Sequence, residues 1–355
     1  MPFQSLLSRI RGKDETLHAN DFRKAPTPAA LFTPTDPATD GEDCSHDCAS
    51  CTIRYPSKFP VDQDEVLFGR VNGWSAHVVV ATGKNDWVRD VADEKGSIMQ
   101  ALSKASPPPK HPLKVSASDM PVPSSMDASA TTILLLPAFV LLDNVTPSST
   151  QTLVSIIDSA PQTTSPLHTH GLSIPRSLHG ISIRACPHEA VILLCSQRTR
   201  DVRCGQSAPL LRREFERHLR PRGLARDLHD ERPGGVGIYF ISHVGGHKFA
   251  ANVIVYRRAG AFGERKVEGE KTVENGEADA TAGEGEEKED PRNGEAAGTD
   301  EKIDDAGAGQ CIWLARVRPE DCENIVRYTV MQGKVVKPDT QLRGGFDREK
   351  GLVSW

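Results

Sequence analysis

Two pairs of residues hold most of the chemistry open to this chain. Cys195 and Cys204 stand with eight residues between them, and His243 and His247 with three. Two thiolates and two imidazoles form a donor set for a metal ion or an iron-sulfur centre. Each pair begins where an apolar run gives out: Val191-Ile192-Leu193-Leu194 ends on Cys195, and Gly237-Ile238-Tyr239-Phe240-Ile241 ends at Ser242-His243. Such runs predict strands. Strand ends held by a packed sheet fix ligands in space, which free loops do not. The four residues therefore read as a cofactor site.

The residues around them suit that role. Gly245 and Gly246 let the loop between the histidines curl so that both rings face one metal. Arg198, Arg200 and Arg203 flank the cysteines and can favour thiolate, and Asp201 can pair with one of them. A second group, Cys44-x3-Cys48-x2-Cys51 with His46 inside it, has the spacing of a radical-SAM triad. No long series of strand-helix repeats follows it, and Ser50 stands where an aromatic is common. An auxiliary zinc or cluster site and plain reduced cysteines remain the other readings. Cys186, Cys311 and Cys322 read as core positions of two strands and a helix.

The segments 195–205 and 241–256 resemble the two signatures of the sucrase/ferredoxin-like proteins, with Gln197 where that family often has His. The resemblance is strong over 183–256 and 311–345 and weaker over 42–100. It implies a thioredoxin-like ferredoxin whose [2Fe-2S] cluster is held by Cys195, Cys204, His243 and His247. It also implies an electron-transfer or redox-homeostasis role with a redox partner protein, an electron carrier more than a stand-alone enzyme. Zinc is the rival metal, and a zinc-stabilised interaction module the rival function. The eight-residue gap between the cysteines exceeds the usual two to four of zinc fingers.

Composition narrows the classes. The net charge of -5 conceals an asymmetry: residues 264–305 carry sixteen acids and six bases, a local -10, which leaves about +5 for the rest. The basic residues outside that segment are scattered with no aromatic-interleaved stripe, so no nucleic-acid partner is expected. No apolar run reaches membrane-spanning length. Eight cysteines without a secretory signal fit a reducing compartment. Glycoside hydrolysis needs two carboxylates across a pocket, and the acids here concentrate in 264–305. A dithiol enzyme needs a Cys-x-x-Cys at a strand-to-helix turn, which this chain lacks.

The elements that must position the four ligands predict an α/β protein of two small domains. Residues 1–41 read as a disordered or targeting tail, in which Phe3, Leu6, Leu7 and Ile10 sit at helical spacing among Ser and Arg. An α/β domain spans 42–165, with a strand at 74–83, a helix opening at Asp86 and a buried strand at 131–140. Residues 166–183 are a linker. The second, thioredoxin-like domain spans 184–335: strands at 191–195, 236–242 and 250–256, a helix over 208–219, a disordered acidic insert at 259–310, a strand from Cys311 and a last helix opened by Pro319. Residues 336–355 read as a tail. Its final Val353-Ser354-Trp355 resembles the handle by which the cytosolic iron-sulfur assembly machinery recognises its clients. That points to the cytoplasm, whereas residues 3–11 lean to the mitochondrion.

Overall fold

The computed structural model describes residues 21–355 apart from 125–126, 128, 168–173, 264–301 and 304–305. The presequence-like residues 3–11 and most of the acidic insert therefore lie outside the described residues. The chain is mixed α/β, built on a 14-stranded sheet. Its main strands are β1 Ala76–Ala81, β2 Leu113–Ser118, β3 Thr131–Leu136, β4 Val140–Val145, β5 Ile181–Ala185, β6 Ala190–Cys195, β7 Val236–Ile241, β8 Val253–Arg258, β9 Ala308–Leu314 and β10 Leu342–Asp347. In the sheet they run β10-β9-β8-β6-β7-β2-β1-β3-β4-β5.

The order repeats a pattern. In the first half, β1 and β2 are parallel, joined through helix α1 (Ile98–Ser103), and β3 and β4 follow as an antiparallel pair before helix α2 (Thr150–Ser159). In the second half, β6 and β7 are parallel, joined through helix α3 (Val202–Leu219). There β8 and β9 follow as the antiparallel pair, before helix α4 (Cys322–Asn324) and the π-helical turn Ile325–Val330. The halves meet edge to edge where Ile241 of β7 pairs antiparallel with Ser118 of β2.

Both faces of the central strands are covered, so β6 and β7 are buried along their whole length. That is why they read as unbroken apolar runs rather than alternating ones. Alternate side chains separate into two layers. Ile192, Leu194, Val253 and Val255 join Leu211, Phe215 and Leu219 of α3 on the helical side. Val191, Leu193, Cys195, Ile254 and Tyr256 turn to the other side, where they meet Val79, Leu134 and Trp74 of the first half. The second layer draws the halves together: the buried His77 ring bonds Tyr256 Oη at 3.1 Å and Ser116 Oγ at 2.9 Å, and the Trp74 and Trp313 rings lie 5.6 Å apart.

Several segments differ from their sequence reading. No helix opens at Asp86; the first turn is Val91–Asp93 and α1 starts at Ile98. The Asp86 carboxylate is spent instead on the N–H and hydroxyl of Thr199, across the junction. Helix α3 begins at Val202, not 208, because Asp201 caps it and Pro209 is carried inside it. Arg184 lies in β5, which pairs with β4 and so belongs to the first half of the sheet. The insert is shorter than 259–310, since Ala261–Gly263 forms a turn and β9 starts at Ala308.

Neither terminal stretch among the described residues behaves as a free tail. Arg23–Lys24 pairs with Leu352–Val353, and Leu31 and Phe32 are fully buried. Residues 342–347 form β10 beside β9, and the Trp355 ring lies 4.8 Å from Trp74 and 6.4 Å from Phe346. An arginine and two glycines in Leu342-Arg343-Gly344-Gly345 had hidden that strand from any propensity argument.

Burial gives the fold a pH dependence. It pushes the His77 imidazole well below the usual histidine range and His188 down to about 4. Both are neutral when folded, whereas the unfolded chain protonates them near pH 6.5. Their contribution is intact above about pH 6.5 and is lost as pH falls below it, for His188 until about pH 4, at up to about 1.4 kcal/mol per pH unit for each group. Urea unfolding at pH 7 and pH 5 should show lower stability at pH 5, and His188→Gln should shrink that difference. Equal pH dependence in His188→Gln and the parent would remove His188 from the account.

Candidate metal centre

The two sulfurs come together because a strand end meets a helix start. Cys195 is the last residue of β6, with its N–H bonded to the Asn252 carbonyl at 3.2 Å. Cys204 lies in the first turn of α3, whose N-terminal cap is the Asp201 side chain. The loop 196–201 brings that turn back over the strand, so close that a Cβ on Gly205 would stand 2.5 Å from the Arg198 Cβ. The sulfurs are 3.4 Å apart and both are buried. The unpaired N–H groups of a helix start favour negative charge, which suits a thiolate there.

The histidine loop is aimed by the neighbouring strand. Beyond Ile241 the chain keeps running along β2, with the Ser242 N–H bonded to the Ala117 carbonyl at 2.8 Å. Gly245 and Gly246 then turn it with φ of 91° and 67°. The His243 ring reaches the sulfurs: ligand atoms of Cys195, Cys204 and His243 all lie within 4.8 Å of one another. His247 is exposed and outside that trio, with its ring centroid 5.3 Å from that of His243. Among the described residues, of the three cysteines 44, 48 and 51 only Cys48 joins a cluster of metal-type donors, and that cluster lies elsewhere.

Electrostatics hold the site in an anion-ready state. The Cys204 thiol bonded to Cys195 pulls the Cys195 thiol down, helped by His243, while the same bond holds Cys204 up. Two cations that sequence reasoning missed sit below the histidine loop. Arg343 of β10 stacks over Trp313 at 4.2 Å and donates to the Gly245 carbonyl at 2.9 Å and the Asn252 Oδ1 at 2.8 Å. Lys114 of β2 lies over Trp74 and Trp313 and donates to the Val244 carbonyl at 3.2 Å. Burial lowers Arg343 to about 10, with the Cys195 charge opposing that shift, and lowers Lys114 to about 8, with Arg343 adding to it. The only sequence sign was an arginine inside an otherwise small and apolar run.

Of the arginines that sequence singled out, Arg203 acts as expected, its charge beside Cys204 favouring the thiolate. Arg203 pairs with Asp201 at 2.8 Å and reaches the Pro60 carbonyl, so it closes the loop. Gln197, fully inside, bonds the Val88 carbonyl at 2.6 Å through its amide and accepts the His243 N–H at 2.8 Å. It clamps both ligand loops to the first half of the chain. The donor set fits a soft metal or an iron-sulfur centre, and the buried Nδ1 of His243 has no hydrogen-bond partner among the described residues.

The class of protein these features define is a mixed α/β protein with a candidate Cys/His metal site. The sucrase/ferredoxin-like family model matches residues 67–344, and the chain belongs to that family. It is 26% identical over 277 residues to actin patches distal protein 1 of Saccharomyces cerevisiae, covering 73% of this chain and 85% of the relative. It is 28% identical over 138 residues to altered inheritance of mitochondria protein 32 of Clavispora lusitaniae, covering 39% of this chain and 29% of that one. Over 57 residues it is 46% identical to the protein of the same name from Debaryomyces hansenii, 16% of this chain and 17% of the relative. No solved structure matches. No helix among the described residues is long and apolar enough to cross a membrane.

The loop geometry yields a direct test. A Cβ on Gly246 would stand 2.6 to 2.7 Å from the Arg343 guanidinium, whereas one on Gly223, at the same φ of 67°, meets nothing within 4 Å. Gly246→Ala and Gly223→Ala should each cost about 1–2 kcal/mol of stability for the left-handed backbone. Only Gly246→Ala should also lose bound metal, measured per chain after gel filtration. Equal retention in the two variants would show that Arg343 does not position the loop.

Proposed function

We propose that the protein is an electron-transfer or redox-homeostasis protein that holds a [2Fe-2S] cluster on Cys195, Cys204, His243 and His247. The observation that carries this reading is the convergence of two buried sulfurs, one at the end of β6 and one in the first turn of α3, with the His243 ring from beyond β7, and with His247 beside that ring. When bound, the cluster would supply a one-electron couple, at a higher potential than with four thiolates because imidazole donates less charge. Everything else is the work of this chain. Arg343 and Lys114 set positive charge beside thiolates that burial would otherwise disfavour. Asn252 and Gln197 fix the two loops that bear the ligands. His247 puts the water-facing side of the site on its histidine edge.

On the same reading each half of the sheet is a thioredoxin-like unit, supported by the matching strand order and connections of the halves. The first half lacks the ligands: β1 ends on Ala81 and runs into Thr82-Gly83, where β6 ends on Cys195 and runs into Ser196-Gln197. A redox protein partner would approach the exposed His247 edge. Trp355, packed at a tilt against Trp74, supports an internal anchor over a recognition tail. The mitochondrial wording of two relatives' names favours that compartment over the cytoplasm.

Protein purified anaerobically should be brown and carry about two irons and two acid-labile sulfides per chain, and Cys195→Ala should abolish both. His243→Cys should keep the colour and lower the potential. Colourless protein carrying zinc alone would replace this reading with the zinc-stabilised interaction module, and an unchanged potential in His243→Cys would remove that histidine from the site.

A further inference from the structure

A second set of metal-type donors lies at the far end of α3, away from the centre described above. His218 is in the last turn of that helix, Glu323 is in α4, and Cys48 comes from the chain ahead of the first half. Their ligand atoms all fall within 4.8 Å of one another, and Cys48 and His218 are buried. Cys48 Sγ and His218 Nε2 are 4.0 Å apart. The Cys48 N–H is bonded to the Glu320 carbonyl at 2.9 Å, and Asn324 donates to the carbonyls of Asp43, Cys44 and His46. The backbone that presents Cys48 is thus fastened to the same helix that presents Glu323.

A cationic group already occupies this cluster. Arg217 Nη2 lies 3.4 Å from Cys48 Sγ, 3.0 Å from His218 Nε2 and 2.8 Å from Glu214 Oε2. A guanidinium N–H directed at Nε2 makes that nitrogen an acceptor, so its lone pair points into the cluster. The Arg217 side chain is 39% exposed and can swing to solvent, while Glu214 is nearly fully buried. The sulfur, the imidazole and the carboxylates are therefore placed around a position that is positively charged in this structure.

We propose that Cys48, His218 and Glu323 form a zinc-binding site, distinct from the Cys195 centre, in which Zn²⁺ takes the place of the Arg217 guanidinium. One thiolate, one imidazole and one carboxylate are donors that zinc accepts together, with the fourth position of the tetrahedron open to water or to Glu214. Cys44 and Cys51 are not needed: among the described residues neither falls into the donor cluster, although Cys51 lies against Glu214. A set with a single sulfur does not suit an iron-sulfur cluster. The two residues that matter most beside Cys48 are far from it in sequence, so the Cys44-x3-Cys48-x2-Cys51 spacing misstates the ligands. Zinc here would join the segment ahead of the first half to the two helices of the second.

The test uses the full-length chain with its Cys195 centre loaded, so that zinc cannot settle there. The protein is equilibrated with zinc chloride in a buffered chelator, and zinc and iron are counted per chain. The expected result is about one zinc per chain with the iron content and visible spectrum unchanged, lost in Cys48→Ser and in His218→Ala and retained in Cys48→His. Arg217→Ala removes the competing cation and should tighten zinc binding by at least about tenfold; because it leaves the buried Glu214 without its partner, the variant's fold is first confirmed by circular dichroism. Zinc retained in Cys48→Ser, or no zinc bound by either the parent or Arg217→Ala, would overturn the proposal and leave Arg217 as the permanent counter-ion of the cluster.

Discussion

The constraint on which the rest of this structure depends is the charge of a thiolate at a buried strand end. Taking a sulfur anion out of water is costly unless cations and N–H donors replace the water. Here they come from three directions: the first turn of α3, the Arg343 guanidinium and the Lys114 ammonium. The cations must themselves be buried, which the indole faces of Trp74 and Trp313 make tolerable. Each is then tied to a carbonyl of the histidine loop, Gly245 for Arg343 and Val244 for Lys114. Charge balance and ligand placement are therefore one arrangement: a loop that moved away from the sulfurs would break the bonds that hold the cations near them.

On the proposed reading, this arrangement requires both halves of the sheet. Lys114 and the carbonyl that anchors Gln197 belong to the first half, while both sulfurs and both histidines belong to the second. The site lies where β2 and β7 meet, and the loops that follow β1 and β6 brace each other through Asp86 and Thr199. A first half without ligands is thus a wall of the site. Its Trp74 also takes the Trp355 ring, so Trp355 is part of the same wall.

Much of this was legible in the sequence, for a physical reason. Strands covered on both faces are continuous apolar runs, and β6 and β7 could be read together with the ligands at their ends. The αL turn at Gly245 and Gly246 was legible because few other residues accept such φ values. What escaped reading lacks local signal. Gly205 and Pro209 hid the start of α3, and with it the placement of Cys204 on a helix. A lone Arg343 or Lys114 has no periodicity, and their importance comes from contacts with residues 98 and 130 positions away. Spacing suggested that Cys44, Cys48 and Cys51 act together, whereas the fold gives Cys48 partners from α3 and α4.

The central claim is that two histidines and two cysteines share one iron-sulfur centre. Pulsed electron-nuclear resonance on the reduced protein, grown with ¹⁵N-labelled histidine, addresses it at the ligand atoms. The account predicts a paramagnetic centre coupled to two histidine nitrogens, one of which disappears in His247→Cys and one in His243→Cys. A reduced centre with no nitrogen coupling, or none that responds to either substitution, would contradict it.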